Sequence, residues 1–472
     1  MSRFRLIGIL LGGMVTWPLH AHAQAVQDSP PPEVFTLDAA LQYAVDHYPT
    51  VRAALEQVNL SDANVRIAQS AYLPRLDGIW QTNRATANNV FGQLLPQSVL
   101  PTISGPVLPS ASSQSVWSSA VGAFFGWEPF DLGLRAATVR AAETGVVRAR
   151  ADEAVTKLDV QHAVGHAFLA VVGAQQAVAA AESDAQRREV LARVARALAD
   201  NQLRPGADAS RADAERAAAQ TRAIQARQML VIAQFTLRRV LGITAGPASV
   251  NAGRLLDAIP PASSMTTAAA EHPLAQSRRA AVDVARAQED VLTKTDRPRL
   301  YLQSSIFARG SGADPGGSLD GGADGLGLDR ANWAAGVQVV FPNLFDFSSL
   351  QARRAASASS TRAENARYDE AILTVTAQQQ TADALAQAAR EIAVNTPVQL
   401  AAARQSEAQA RARYDAGLAS IVEVAEAQGL LAQAEYQDAA ARIDVWRALL
   451  AQAVARGNVG TFIGLVRGSG VP

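Results

Sequence analysis

The side chains that could perform chemistry are few and scattered. His162 and His166 lie four residues apart, the spacing that places two metal ligands on one helical face. No Glu stands between them and no third ligand is obvious, so two histidines on a helix surface are the favoured interpretation. The sequence contains no Cys, and no Ser-His-Asp grouping or phosphate-binding glycine loop stands out. The sequence therefore predicts no catalytic residue, no resident metal and no cofactor.

A glycine- and aspartate-rich stretch, 310–330, is the other candidate for a ligand site. Its aspartates are irregularly spaced, whereas calcium-binding repeats keep a fixed spacing. A loop at the surface is therefore the favoured interpretation. The aspartates concerned are Asp314, Asp320, Asp324 and Asp329.

The chain contains two copies of one unit. Pro49 and Pro74 recur, with the same separation, as Pro273 and Pro298. The copies lie about 220 residues apart, far above solenoid periods, so they are two fused domain-sized units. The first copy is placed at 35–242 and the second at 265–456, with a linker at 243–264 and a tail at 457–472. Other corresponding positions are Phe130 with Phe345 and Gly206 with Gly417.

Residues 1–23 have the features of an export signal. Arg3 and Arg5 precede a short apolar run, and Ala21-His22-Ala23 fits a signal-peptidase cleavage site. Residues 24–34 are Pro-rich and predict a flexible arm. No later apolar stretch of about 18 residues is evident, so no transmembrane helix is expected. The net charge of zero predicts no nucleic-acid partner.

Each copy predicts two alternating β-strands. They lie at about 76–84 and 116–127 in the first copy and about 299–307 and 332–341 in the second. Trp117 and Trp127 share one strand face, and their separation on a tilted strand corresponds to about 25 Å, the spacing of the aromatic girdles of an outer-membrane barrel. The predicted girdle residues, in contact with outer-membrane lipid, are Trp117, Trp127, Trp333 and Phe341.

Each copy also predicts two very long helical stretches, within about 134–241 and 348–456. We expect the turns between paired helices near 178–183 and 395–398, at the tips of the helices. Gly206 and Gly417 are expected to form equatorial turns that use a positive φ. A heptad seam near the end of the second copy predicts coiled-coil packing.

Four strands cannot close a membrane barrel, because the smallest membrane barrels have about eight. An open edge in lipid would leave backbone groups unpaired. Long helices with small apolar seams need partners in the same way. The two requirements together predict a ring of several chains, each supplying four strands and a segment of helical wall.

Several short motifs, in this order, resemble the TolC family of outer-membrane efflux and secretion channels. They are Thr36–Leu41 before Pro49, Ala71–Leu76, Trp127–Gly133, and Arg413–Leu418 with Val422–Val424. The resemblance covers residues 35–456. The chain departs from the family in lacking a Cys for an N-terminal lipid. It has Phe347 where a Gly would be usual, and one extra residue before Asp213.

The resemblance implies a mainly α-helical fold with a small β part. It implies a homotrimer with a twelve-stranded barrel above a twelve-helix tunnel, in the outer membrane of a Gram-negative bacterium with its helices in the periplasm. The implied function is a passive exit duct for efflux or type I secretion. The implied partners are a periplasmic adaptor and an inner-membrane pump. Drug, metal and protein cargo stay open.

A periplasmic gate is expected near the stretch before Tyr414, which the resemblance places at the constriction. In a trimer one inward charge per chain becomes a ring of three charges. Ordinary i,i+4 surface pairs, such as Glu407 with Arg411, are the alternative for the charged residues. The predicted gate residues are Glu407, Tyr414, Arg404 and Asp415.

The sequence leaves two alternatives to the channel. A periplasmic coiled-coil structural or adaptor protein would also use long helices, but the aromatic residues at the strand ends argue against it. An exported enzyme would need a convergent polar pocket, and the sequence supplies no obvious one.

Overall fold

The computed structural model describes residues 32, 34–86, 113–244, 248–257, 259–260, 267–314, 318–319, 323–343 and 345–468. The predicted signal peptide, nearly all of the arm, Asp320 and the last four residues lie outside the described residues, as does part of the predicted linker.

Eight α-helices and six strands are present in the described ranges. The helices are α1 Leu37–His47, α2 Pro49–Ser70, α3 Leu134–Asp200, α4 Gly206–Leu241, α5 Pro273–Lys294, α6 Phe347–Asp415, α7 Ile421–Ala455 and α8 Gly460–Arg467. The strands are β1 Val34–Phe35, β2 Arg75–Thr86, β3 Ser115–Phe130, β4 Ser249–Val250, β5 Arg299–Ser311 and β6 Arg330–Val340.

The duplication is visible in the order and lengths of the elements. Helices α2 and α5 have 22 residues each. The longest helices, α3 and α6, have 67 and 69 residues, and α4 and α7 have 36 and 35. Helices α3 and α6 are therefore each about 100 Å long at 1.5 Å per residue. Each copy is a short helix, a strand pair, a full-length helix and a half-length helix.

The predicted turns at 178–183 and 395–398 are wrong, because both segments lie inside continuous helices. Residues 178–183 include three consecutive Ala, with no Gly or Pro to end the helix. Pro397 lacks the N–H that an interior residue donates, yet α6 continues through it. A hydrogen bond from Thr396 Oγ1 to Asp438 Oδ1 (3.1 Å) fastens this part of α6 to α7.

The half-length helices stack end to end with the short ones. Gly242 follows α4 with φ +75°, and the side chains of Tyr48 and Pro49 at the start of α2 lie next to it. Gly457 follows α7 with φ +74°, beside His272 and Pro273 at the start of α5. Each copy thus has one unbroken column, α3 or α6, and one broken column, α4–α2 or α7–α5.

His272 holds the second junction together. Its Nδ1 accepts a hydrogen bond from the Leu274 backbone N–H (3.1 Å), so Nε2 carries the proton and donates to the Val454 carbonyl oxygen (3.1 Å). One neutral imidazole therefore caps α5 and ties it to the end of α7. Tyr48, the corresponding residue of the first copy, makes no side-chain cap.

The largest buried core surrounds these junctions. Phe35 and Leu41, from β1 and α1, are buried together with Phe168 of α3, Trp446 of α7 and Phe462 of α8. The short β1 and β4 pair in parallel beside them. This core fixes the middle of the columns and contains residues from both copies.

Part of α3 is long and apolar enough, by length and composition, to cross a membrane. The prediction that no later stretch of the sequence would qualify is therefore wrong. The apolar side chains of this part of α3 form part of the protein core, because Val164, Phe168 and Val172 are fully buried against the other helices. Core packing accounts for the composition.

The four long strands form one antiparallel sheet in the order β2-β3-β5-β6. They overlap the predicted strands, and β3 and β5 extend a few residues further. β2 and β6 each have one strand neighbour in the described chain, so each presents an unpaired edge. The sheet is therefore complete only if other strands pair with both edges.

The two faces of the sheet differ in chemistry. Pairing puts Leu76, Trp80, Ile306, Trp333 and Val337 on one face, where all five are exposed. The opposite face is more polar and carries Asp77, Gln81, Asn83, Gln303, Arg309 and Gln338. An apolar exposed face and a polar opposite face are typical of a strand set between lipid and water.

The register also locates the predicted girdle residues. Trp117, Trp127 and Trp333 share the apolar face, and Phe341 follows the last residue of β6. Trp333 pairs through Ile306 with Ala123, in the middle of β3 rather than at its end. The girdle therefore stays a prediction, with Trp117 and Trp127 lying closest to opposite ends of one strand.

The corner between strand and helix differs between the copies. In the first, the Asp131 carboxylate accepts hydrogen bonds from the backbone N–H groups of Gly133 (3.0 Å) and Arg135 (2.5 Å). In the second, Asp346 makes no side-chain cap at the start of α6. The departure at Phe347 noted in the sequence thus coincides with the loss of this cap.

We expect alanine at Gly457 and at Gly242 to destabilise the protein unequally. Both residues have left-handed φ, which costs an L-residue about 1–2 kcal/mol. At Gly457 an added Cβ would also lie 2.4 Å from Pro273 Cδ, whereas at Gly242 the nearest atom is 3.7 Å away. Gly457→Ala should therefore lower the thermal unfolding midpoint of the purified protein more than Gly242→Ala. Equal losses would contradict the packed α7–α5 junction.

Candidate functional site

Two helix–helix turns lie at the ends of the columns furthest from the sheet. Residues 201–205 join α3 to α4, and residues 416–420 join α6 to α7. Because α3 and α6 run uninterrupted from the sheet to these turns, Gly206 and Gly417 are at the distal tips. The prediction that they form equatorial turns is wrong. The middle of the helical columns is instead occupied by the Gly242 and Gly457 junctions.

The α6–α7 turn is built from glycine and a capping box. Gly417 has φ +77°, and its N–H donates to the Tyr414 carbonyl oxygen (3.0 Å). Ser420 then starts α7, with its side chain accepting from the Glu423 N–H while the Glu423 carboxylate accepts from the Ser420 N–H. This turn is fixed by local hydrogen bonds on both sides.

The α3–α4 turn reaches a similar shape with different residues. Gln202, not a glycine, takes the left-handed conformation, with φ +59°. Pro205 precedes α4. Gly206 is the first residue of α4, and its φ is not positive. The expected use of a positive φ by Gly206 is therefore wrong, because Gln202 already takes the left-handed conformation and Gly206 begins α4.

Arg204 links the two turns. Its Nη2 donates to the Tyr414 carbonyl oxygen (3.3 Å), and its guanidinium carbon lies 5.0 Å from the centroid of the Tyr414 ring. A cation over an aromatic ring at this distance is attracted to it. A single side chain from the first copy thus contacts both the backbone and the ring of Tyr414 in the second copy.

Tyr414 is the centre of an apolar cluster at the tips. It is 2% exposed and packs with Leu191 and Ala195 of α3, and with Ile421 and Val424 of α7. Its hydroxyl has no hydrogen-bond partner among the described residues. Burial raises the pKa of this hydroxyl, and the Asp208 carboxylate raises it further against the opposing Arg204. The ring is therefore held by packing and by Arg204 rather than by its hydroxyl.

The other predicted gate residues do not join this cluster. Glu407 is half-buried, and its Oε1 is enclosed without a partner in the described part of the chain. Arg404 and Asp415 are exposed on α6. No hydrogen bond or ion pair among the described residues joins any two of the four. Of the predicted set, only Tyr414 belongs to a contact between the two tips.

Arg204 was not predicted as a site residue. Its signal in the sequence was the Arg204-Pro205-Gly206 step, which departs from the corresponding turn of the second copy. The departure is visible in the sequence, but a sequence cannot show which distant residue such an Arg contacts.

The family model for outer membrane efflux proteins matches residues 40–243 and 265–457. The chain belongs to this family. No curated protein matches the sequence, and the support therefore comes from the family model and from solved structures of the same fold.

Three solved channels show how far the fold likeness extends. CusC is 13% identical over 89% of this chain and 92% of its own, with a TM-score of 0.73. VceC of Vibrio cholerae is 15% identical over 89% and 96%, with a TM-score of 0.69. CmeC of Campylobacter jejuni is 15% identical over 89% and 85%, with a TM-score of 0.70.

The predictions of a TolC-family fold and of an outer-membrane efflux channel are confirmed. In this channel protein the four-stranded sheet lies in the outer membrane and the helices lie in the periplasm. The two turns are then at the periplasmic end of the protein, the end furthest from the cell surface.

We expect Tyr414→Phe to leave the thermal stability of the efflux channel unchanged or to raise it. A buried hydroxyl without a partner costs about 1–3 kcal/mol, and Phe keeps the ring under Arg204. Tyr414→Ala should instead cost about 3–5 kcal/mol, because it empties a closely packed cluster. Thermal denaturation of the two purified variants would measure both effects. A Phe variant as unstable as the Ala variant would show that the hydroxyl has a partner.

Proposed function

We propose that three copies of this chain form one passive exit duct, a twelve-stranded barrel continued by a helical tunnel. The observation that carries the proposal is the four-stranded sheet with two unpaired edges and one exposed apolar face. Backbone groups on an open edge cannot be left unpaired in lipid. The proposed solution is that β6 of one copy pairs with β2 of the next.

Strand direction supports this closure. All three pairings inside the sheet are antiparallel. Around the proposed ring, β6 and the next β2 then also run antiparallel, so the alternation continues without a break. Two copies would give eight strands, and the interior of an eight-stranded barrel is filled by side chains. Three copies are the smallest ring that leaves an open lumen, lined by the polar face.

The proposed gate is the contact between Arg204 and Tyr414. It joins the α3–α4 turn of the first copy to the α6–α7 turn of the second within one chain. For the tunnel to widen at its periplasmic end, the two helix pairs must separate, and this contact opposes their separation. Arg404, Glu407 and Asp415 remain proposed gate residues. They make no contact with one another within the described part of one chain, so any gate that they form would have to join different chains.

A passive duct needs an energy source elsewhere. We propose the tripartite arrangement of the family, with an inner-membrane pump and a periplasmic adaptor that meets the tips. Leu203 and Leu418 occupy the two turns and are 70% and 72% exposed. Exposed leucines at the tips suit a contact with apolar residues of an adaptor. We therefore place the adaptor contacts at these two turns, and not at 178–183 and 395–398, where the sequence had predicted the tips.

Cysteine pairs would test the closure of the ring directly, because the chain has no Cys of its own. Gln81→Cys on β2 would be combined with one cysteine on the same face of β6, at Asn332, Ala334, Gly336 or Gln338 in turn. One register should give a covalent trimer as the largest species on a denaturing gel after oxidation. Gln81→Cys with Trp333→Cys, on the opposite face, is the control and should not cross-link. A series that ends at the dimer would overturn the trimer.

Removing Arg204 should open the channel. Arg204→Ala loses both the hydrogen bond and the ring contact, so we expect a several-fold rise in conductance across planar bilayers. Arg211→Ala is the matched control, since Arg211 is an exposed residue of α4 without an ion pair in the described chain. Arg204→Lys keeps the charge but not the planar group, and an intermediate conductance is expected. Conductance of Arg204→Ala equal to that of the control would rule out this gate.

A further inference from the structure

A cavity of about 790 Å³ lies where α3, α5, α6 and α7 meet, beside the α7–α5 junction. Its walls are mostly apolar and include Val155, Leu158, Leu274, Leu385 and Val454. Cavities of about 300–1,000 Å³ with apolar walls and a few polar groups are typical of small-molecule sites. The cavity is unrelated to the tips and has no part in the proposed gate.

One uncompensated charge lines this cavity. The titratable lining residues are Asp159 and His162 of α3 and His272 at the start of α5. Asp159 forms no ion pair in the described part of the chain. The polar residues that α6 contributes, Thr374, Gln378 and Thr381, are uncharged.

The arginine that follows the α7 residues of the lining is already paired. Arg456 follows the end of α7 and is bound to Asp383 of α6 (2.8 Å), so it does not neutralise Asp159. No charged residue of α7 lines the cavity. The net charge of the lining therefore depends on Asp159 and on the two imidazoles.

Both imidazoles are neutral at pH 7. His272 must be neutral to accept from the Leu274 N–H while donating to the Val454 carbonyl oxygen. Burial lowers the pKa of His272, against the opposing effects of the Val454 hydrogen bond and of Asp159. Burial, and then the neighbouring His166, lower the pKa of His162, against Asp159. The cavity then has a net charge of about −1.

We propose that this cavity binds a lipophilic monovalent cation, with its apolar walls around the hydrocarbon part and the Asp159 carboxylate as the counter-charge. A bulky cation with dispersed charge loses little hydration on entering an apolar site, unlike a small metal ion. We further propose that such cations are cargo and that the cavity is a resting site on the export route, and this part rests on the proposed function. The binding of the cation does not depend on the proposed function.

Cation binding in this cavity should depend on pH. Both histidines have pKa values below the ordinary 6.5, so they gain protons only as the pH falls below that value. Protonation adds two positive charges and changes the net charge of the lining from about −1 to about +1. Affinity for a cation should therefore be full above pH 6.5 and fall at acid pH.

Two ions of nearly the same shape and opposite charge would test the site. Tetraphenylphosphonium and tetraphenylborate would be equilibrated by dialysis against the full channel held in amphipol, with amphipol alone as the baseline. At pH 7.5 we expect saturable binding of the phosphonium and markedly weaker saturable binding of the borate. At pH 5 this preference should shrink or reverse. Equal saturable binding of both ions at pH 7.5 would overturn the proposal.

Three variants make the test specific to the cavity. Asp159→Asn should weaken phosphonium binding about fivefold, the loss expected for one partly exposed charge pair. Glu143→Gln removes an exposed charge from the same helix, about 24 Å away along α3, and should change nothing. Ala377→Trp should block both ions by filling the cavity from an exposed wall position. Phosphonium binding that survives both Asp159→Asn and Ala377→Trp would place it elsewhere and overturn the assignment.

Failure of this inference can be told apart from failure of the proposed function. The same samples would be inserted into planar bilayers. Normal conductance without phosphonium binding would overturn the cation site and would not affect the proposed function as an exit duct. Phosphonium binding to a protein that forms neither a trimer nor a conducting pore would support the site and overturn the duct.

Discussion

The backbone N–H and C=O groups along the outer edges of β2 and β6 are the constraint on which the structure depends. Within lipid these groups must be paired, and the chain has no further long strand to pair them among its described residues. The sheet therefore cannot be stable in a membrane by itself. Its polar face can line a lumen only once other copies close the ring, and its apolar face then contacts lipid. Exposed apolar side chains of α4 and α6, such as Phe235 and Leu373, are likewise available for contacts between copies.

Duplication gives each chain two similar halves, and the differences between them lie at the junctions, at the distal turns and at the strand–helix corners. The columns have nearly equal lengths, yet the junctions use Tyr48 in one copy and His272 in the other. The distal turns differ in the same way, with Gln202 and Gly417 in the left-handed conformation. The contact between Arg204 and Tyr414 takes one residue from each copy.

Much of the fold could be predicted from local patterns, and the errors came from long helices. Alternation along 76–84 and 116–127 reflects a sheet with one apolar face, so these strands were found directly. Helix ends were misplaced because Pro397 suggested a break that α6 bridges, while Gln202 gave no sign that it turns the chain. Tyr414 was found through a family motif. Arg204 lies 210 residues away from it in sequence, and no local pattern joins the two.

The end-to-end junctions at Gly242 and Gly457 have a mechanical consequence. Each unbroken helix has a continuous ladder of backbone hydrogen bonds from the membrane to the tip. Neither broken column has such a ladder across its gap, and the α7–α5 gap is crossed by the side-chain hydrogen bond from His272 to the Val454 carbonyl oxygen. Both gaps lie at the same level, beside the shared core. The continuous helices keep the wall stiff along its length, and we expect the wall to twist most easily at that level. A rotation of the lower half would then be taken up at the gaps and would leave the barrel above unchanged.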